Sequence, residues 1–217
     1  LDFKMFRISS LLFFLGFLQS QNYPDFEVLH FENPHPNSLF LHTMSEEDRF
    51  MAIIDSGLDV QWHVRSNHMG LDFKVNQNYL TYYNKIEGSW ILANQMMNEV
   101  DTLMCEGSYV ADYHDIQILE NGNYLLQAYD SSFVDMSIII DGGQSVAWIT
   151  GILVIQMFDI NHELISEWNA WDHLDISQYT NLNLQSDAIE WMHGNSIEWV
   201  GNNHILVSNR ASNEILK

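Results

Sequence analysis

The chain is poor in cysteine, proline and positive charge. Of its 217 residues one is cysteine, Cys105. That excludes a disulfide framework and any zinc site built on paired cysteines, and it reads as a buried thiol. There are three prolines, while eleven glycines and many Asn and Asp supply turns. With seven Trp, nine Tyr and twelve Phe, the composition favours short strands and tight turns over long helices. Eight Lys and Arg stand against 29 Asp and Glu, a net charge of −21. No nucleic-acid partner is expected, because phosphate binding needs a basic face. An anionic membrane surface is disfavoured for the same reason. If the protein binds an anion, its few cations must be placed locally, so each arginine is informative.

The apolar run Leu11–Leu18 is too short to cross a bilayer as a helix. In "MFRISSLLFFLGFLQS" it follows the basic Arg7, the shape of a signal peptide. Residues 1–20 are therefore read as an N-terminal extension and signal, with cleavage near Ser20–Gln21. The expectation is an exported protein, periplasmic or extracellular, with no stable membrane insertion after cleavage. Residues 21–217 form one domain, and a hydrophobic content of 47% allows a packed core. Leu1–Lys4 precede Met5, and "HILVSNRASNEILK" stops inside a strand-like pattern. A truncated reading frame is expected.

Apolar alternation at period two dominates after the leader. "RFMAIIDSGLDVQWHV", "FKVNQNYLTYYNKIEGSWILAN", "HDIQILENGNYLLQAYD", "ILVIQMFDINHELISEWN" and "HGNSIEWVGNNHILVSNRASNEILK" each read as strands around an Asx/Gly turn. Asn121-Gly122 between alternating apolar runs is a strong hairpin signal. Hairpins recur at roughly 30–50 residues, the range of propeller blades. The fold class read from this is all-β, a β-propeller, with a β-sandwich as the rival. "SEEDRF" (45–50) reads as a helix start or a polar loop. "LDISQYTNLNLQSDAIEWM" (174–192) reads as a long loop across the mouth of the structure.

Ten histidines stand in this chain of few basic residues. His114, His173 and His193 lie at predicted strand or loop starts beside polar residues. His193 and Asn195 are two apart and would share one face of a strand. Arg210 lies on the returning strand. Histidine, asparagine and arginine converging on one hairpin end could hold a tetrahedral oxyanion. A strand-end histidine is more often structural or solvated, and "WDHLD" reads equally as a polar turn. Asp112, Asp115 and Asp172 are suited to orient imidazoles. His114 with Asp112 and Asp115 is compatible with a metal, but no spacing such as HExxH occurs.

Three stretches, "DYHDIQILENGNYLL", "VIQMFDINHELISEWNAWDHLDI" and "WMHGNSIEWVGNNHILVSNRASNEILK", resemble the arylsulfotransferases. The family's D-x-H-D/E motif before an NGN hairpin, its W-x-x-x-DH segment and its H-x-NS-I hairpin ending in SxR appear in that order. The resemblance covers about Ile53 to Lys217. It implies a six-bladed propeller with a central active site, of which this chain holds roughly four blades. The implied reaction moves a sulfuryl group from an aryl sulfate to a phenolic acceptor through a sulfohistidine. It needs no nucleotide donor such as PAPS and no cofactor. His114 matches the family's first funnel histidine. His193, Asn195 and Arg210 match its later sulfate-holding cluster, and His173 matches the DH segment. Two departures stand out. Ala211 follows Arg210 where the family often has histidine. The family's nucleophilic histidine lies in a later blade, so a chain ending at Lys217 is expected to lack it and to be inactive alone. A non-catalytic ligand- or protein-binding propeller is the alternative.

Overall fold

The computed structural model describes residues 23–44, 49–66 and 69–217. The signal expected within residues 1–20 lies outside them, as does Ser45–Asp48; Arg49 and Phe50 begin a strand rather than continue a helix.

The described residues are all-β and form four sheets, antiparallel throughout except for one short parallel strand added to the third. The first joins β1 (Leu39–Met44), β2 (Arg49–Ile54) and β3 (Val60–Arg65). The second joins β4 (Met69–Asn76), β5 (Tyr79–Asn84), β6 (Ser89–Ala93) and β7 (Glu99–Leu103). The third joins β8 (Ala111–Ile118), β9 (Tyr124–Val134), β10 (Ala147–Phe158) and β11 (Leu164–Asn169), with β12 (Ala188–Glu190) parallel to β10. The fourth joins β13 (Gly194–Gly201), β14 (His204–Asn209) and β15 (Glu214–Leu216). Apart from β12, each is a meander in which chain neighbours pair, and none closes into a barrel.

One turn recurs four times. At Asp55–Asp59, Asn94–Asn98, Leu119–Asn123 and Asp159–Glu163, the first residue's N–H bonds the fifth residue's carbonyl, and the fourth residue's N–H returns to the first carbonyl. The fourth residue is left-handed in every case: Leu58, Met97, Gly122 and His162. Where the first residue is Asp or Asn, its side chain accepts from the third and fifth N–H groups. That bonding supports a backbone angle that leucine, methionine and histidine would otherwise resist. The expected Asn121-Gly122 hairpin is therefore a five-residue loop with glycine alone at positive φ. The two-residue form occurs at Asn202-Asn203, both left-handed;.

Three cores fill the spaces between successive sheets. Met51, Phe73, Tyr82 and Ile91 pack between the first and second. Tyr83, Trp90, Leu92, Ile116 and Leu126 pack between the second and third. Leu125, Leu153, Ile155, Ile197 and Val207 pack between the third and fourth. Neighbouring residues thus go to opposite cores: Tyr82 and Tyr83, or Leu125 and Leu126. Alternation here sorts residues between two cores rather than between core and water, which is why β6 is buried at every position;.

The first strands of the sheets are laced together by side chains. The Asn76 amide on β4 donates to the Ile116 carbonyl (2.9 Å) and accepts from the Ile118 N–H (3.1 Å) on β8. It stands in for a strand's peptide group. On β8, Asp115 accepts from the Ile197 N–H of β13 (2.8 Å), and Gln117 accepts from the Trp199 N–H.

The segment 174–192 is not an open loop across a mouth. Ile176, Leu184, Ile189 and Trp191 are buried in the third core, and β12 extends the third sheet.

Candidate active site

Three adjacent strands carry register breaks near one another. On β8, the four residues 112–115 stand opposite Gln127 alone, between the pairs Ala111–Ala128 and Ile116–Leu126. On β4, Asp72 and Phe73 stand opposite Tyr82, with Asp72 at φ 50°. On β13, Asn195 falls between the paired Gly194 and Ser196. Bulges re-aim side chains out of the ladder, and this region holds most of the residues picked out by sequence.

His114 projects from the β8 bulge. Its Nδ1 lies 2.7 Å from Asp112 Oδ2, which also accepts the His114 N–H (2.9 Å) and the Gln127 amide (3.2 Å). Asp112 is buried. A carboxylate only accepts, so Nδ1 carries a proton and Nε2 is left to accept in the neutral ring or to donate in the protonated one. Among the described residues nothing hydrogen-bonds that Nε2.

His193 is held in the same way. It is left-handed (φ 58°), with its N–H on the Gly151 carbonyl (3.3 Å) and its carbonyl accepting the Arg210 N–H (2.9 Å). Its Nδ1 lies 2.6 Å from Glu190 Oε1, and its Nε2 is buried without a hydrogen-bond partner. The two imidazoles meet edge to face, ring centroids 5.1 Å apart. Tyr129 flanks His193 at 5.6 Å and donates its hydroxyl to the Gly194 carbonyl (2.5 Å). Burial, then the charge of Asp112, pushes the Tyr129 phenol well above its ordinary value, so it stays protonated;.

Arg210 joins the cluster through Glu190. One guanidinium nitrogen reaches both carboxylate oxygens, at 3.0 and 2.8 Å. Burial opposes the Glu190 charge, but hydrogen bonds and charge from His193 and Arg210 hold its carboxyl below the ordinary value;. Lys74 is the second cation. It pairs with Asp72 at 2.5 Å and with Asp115. Burial works against its ammonium, yet those two hydrogen bonds hold its pKa above the ordinary value. Burial instead pushes the Asp72 carboxyl up, against Lys74, which leaves Asp115 the firmer partner.

The structure thus brings together His114, His193 and Arg210. Asn195 sits beside them, but not by strand alternation: His193 precedes β13 in a left-handed conformation and Asn195 is bulged. His173 is elsewhere. It ends a one-turn helix (α1, Ala170–His173), stacks on Trp168 (5.5 Å, 7°) and lines a groove of about 670 Å³ between the third and fourth sheets. Of the three aspartates expected to orient imidazoles, Asp112 does so. Asp115 takes Lys74, and no hydrogen bond or ion pair joins Asp172 to His173 among the described residues. Glu190, Lys74 and Tyr129 were not singled out. The three-residue spacing of Glu190 and His193 and the scarcity of cations were the available signals. Among the described residues no group of three His, Cys, Asp or Glu is placed to hold a metal.

The arylsulfotransferase (ASST) family model matches residues 27–217. The chain belongs to the arylsulfotransferase family. The match spans all four sheets and every residue of the His114–His193–Arg210 cluster. Comparison with curated proteins finds no match. Among solved structures, a similar chain is a protein of unknown function from Bacteroides caccae. It is 12% identical with a TM-score of 0.32, over 83% of this chain and 72% of that one, too distant a likeness to inform fold or activity.

Proposed function

We propose that this arylsulfotransferase transfers a sulfuryl group from an aryl sulfate to a phenolic acceptor, without PAPS, through a sulfohistidine. The observation that carries the reading is the pair of carboxylate-held imidazoles 5.1 Å apart, with Arg210 on the same Glu190 as His193. Sulfuryl transfer asks mainly for positioning and for stabilising charge on equatorial oxygens. In the first half-reaction a neutral imidazole attacks sulfur. An N–S bond forms, the S–O bond to the aryl group breaks, and the phenolate leaves with a proton. In the second, the acceptor phenol loses its proton and its oxygen takes the sulfuryl group, freeing the imidazole.

His114 and His193 are assigned to the sulfuryl oxygens and the leaving oxygen, each donating from Nε2 when that nitrogen carries a second proton, with Asn195 a neutral donor and Arg210 the nearby fixed charge. The resemblance places the nucleophilic histidine on a later stretch of the family's sequence; His173, which matches its DH segment, is assigned to substrate binding away from these two. The four sheets are read as blades of a propeller whose inner strands are β1, β4, β8 and β13. Their side-chain lacing and the three cores between successive sheets support that reading. Residues 21–217 are read as this partial propeller domain. The Arg7-led apolar run supports export of the protein.

The test is His114→Ala in a protein carrying the full reading frame, with 4-nitrophenyl sulfate as donor and phenol as acceptor. Release of 4-nitrophenolate is expected to fall by about a hundredfold or more. An unchanged rate overturns the assignment.

A further inference from the structure

The bulge 112–115 is cut off from most of its ladder, so its shape must be fixed by other bonds. Its start is held by the Tyr83 hydroxyl on the Ala111 carbonyl (2.6 Å) and the Trp90 indole N–H on the Asp112 carbonyl (2.9 Å). Its end is held by the Asn76 amide on the Ile116 carbonyl (2.9 Å) and, within the bulge itself, by the Asp115 carboxylate: one oxygen takes the Ile197 N–H (2.8 Å), the other takes Lys74. His114 lies between these two anchors, one residue from Asp115.

Lys74 is poorly suited to bind a substrate anion. Two carboxylates already flank it, Asp72 at 2.5 Å and Asp115, and its ammonium sits 5.9 Å over the ring of Trp90, which anchors the start of the same bulge. It lies just after the β4 bulge, where Asp72 adopts a left-handed backbone, a conformation that a residue with a side chain rarely takes;. Asp72 is also within electrostatic reach of His114. Two strained or bulged segments of neighbouring sheets therefore face each other across one ammonium.

We propose that Lys74, acting through Asp115, is the positioning residue that fixes the orientation of His114, and that its charge serves this purpose rather than substrate binding. This rests on the assignment of His114 to the sulfuryl group. Without Lys74, Asp115 keeps one donor and a largely buried charge, the bulge gains an alternative set of bonds, and the Asp112–His114 contact loses its fixed frame. The ring is then free to exchange between tautomers and orientations.

The experiment reads His114 directly, without requiring turnover. Long-range proton–nitrogen spectra of nitrogen-15-labelled wild type, Lys74→Met, Lys74→Arg and Asp115→Asn give the His114 tautomer. Peptide mass mapping gives its rate of modification by diethyl pyrocarbonate. In the wild type a single Nδ1–H tautomer is expected. In Lys74→Met and Asp115→Asn a mixture of tautomers is expected, with a modification rate changed on the order of tenfold, and Lys74→Arg restores the single form. Asp115→Asn keeps an acceptor for Ile197, so it decides the matter if Lys74→Met does not fold. A His114 signature unchanged in the variants that fold, with only thermal stability lowered, makes Lys74 a mere structural ion pair and overturns the proposal. Failure of the sulfotransferase reading shows separately, as 4-nitrophenyl sulfate turnover indifferent to His114→Ala, and leaves this tautomer test intact.

Discussion

The ring planes of His114 and His193 cross at 69° with their centroids 5.1 Å apart, and each ring has its Nδ1 on its own carboxylate, Asp112 and Glu190. One sulfuryl group can bridge such a pair only if both rings keep their place. The two should behave as a unit. His114→Ala and His193→Ala are each expected to lower transfer from 4-nitrophenyl sulfate by about a hundredfold, and the double variant by little more than either alone. Initial rates for the four proteins check this; full additivity counts against a shared role.

Glu190 links acid stability to the site. Its folded carboxyl lies below its unfolded value of 4.5. Its contribution is therefore present above that value and is lost as pH falls through the lower folded one. Glu190→Gln should flatten this part of the acid limb. The side chain is nearly half exposed, so the effect is about 0.5 kcal/mol. Urea midpoints between about pH 3 and pH 6 measure it.

Asn76→Ala leaves the buried Ile116 carbonyl and Ile118 N–H without their partner. A loss of about 3 kcal/mol is expected. Urea unfolding reads it, and a loss near zero would mean that water replaces the amide.

A Cβ on Gly194 would stand 2.7 Å from Gln127 Oε1 and 2.9 Å from a Leu153 methyl. Gly194→Ala should cost about 2 kcal/mol. It should also disturb Gln127, which bonds Asp112 beneath His114, so transfer should fall more than the lost stability explains. Melting temperature and turnover measured together separate the two effects.

Burial pushes the Cys105 thiol up to about 12, with Glu167 and Asp112 adding to the shift. Native protein at neutral to mildly alkaline pH should react slowly with a disulfide reagent, and urea-unfolded protein fast. Equal rates in both states would place the thiol in solvent.

Much of the strand pattern was legible in the sequence because its signals are local. Asx and Gly residues between apolar runs mark the turns, and His193 and Arg210 stand at element ends, whereas His114, expected at a strand start, lies within β8. The bulges were not legible. Alternation gives no sign that 112–115 face a single residue, or that β13 begins after a left-handed His193. The ions that organise the site were also hidden, because Lys74 meets Asp115 and Arg210 meets Glu190 only through the fold. His173 was grouped with the others by its polar surroundings at an element start and by motif order, neither of which carries its distance from them, and its stacking on Trp168 depends on the path of β11. The strand β12 has only three residues, too few to show a period.

The lacing between β8 and β13 has a mechanical consequence. Asp115 and Gln117, two residues apart, grip the N–H groups of Ile197 and Trp199, also two apart. Successive N–H groups along a strand point to opposite sides, so the grip re-forms only after a slip of two residues, about 7 Å. Intermediate positions leave Gln117 without its mate and Asp115 with Lys74 alone. The teeth of this rack set the spacing of His193 from His114 in steps, so the two rings are either in place or a whole notch apart.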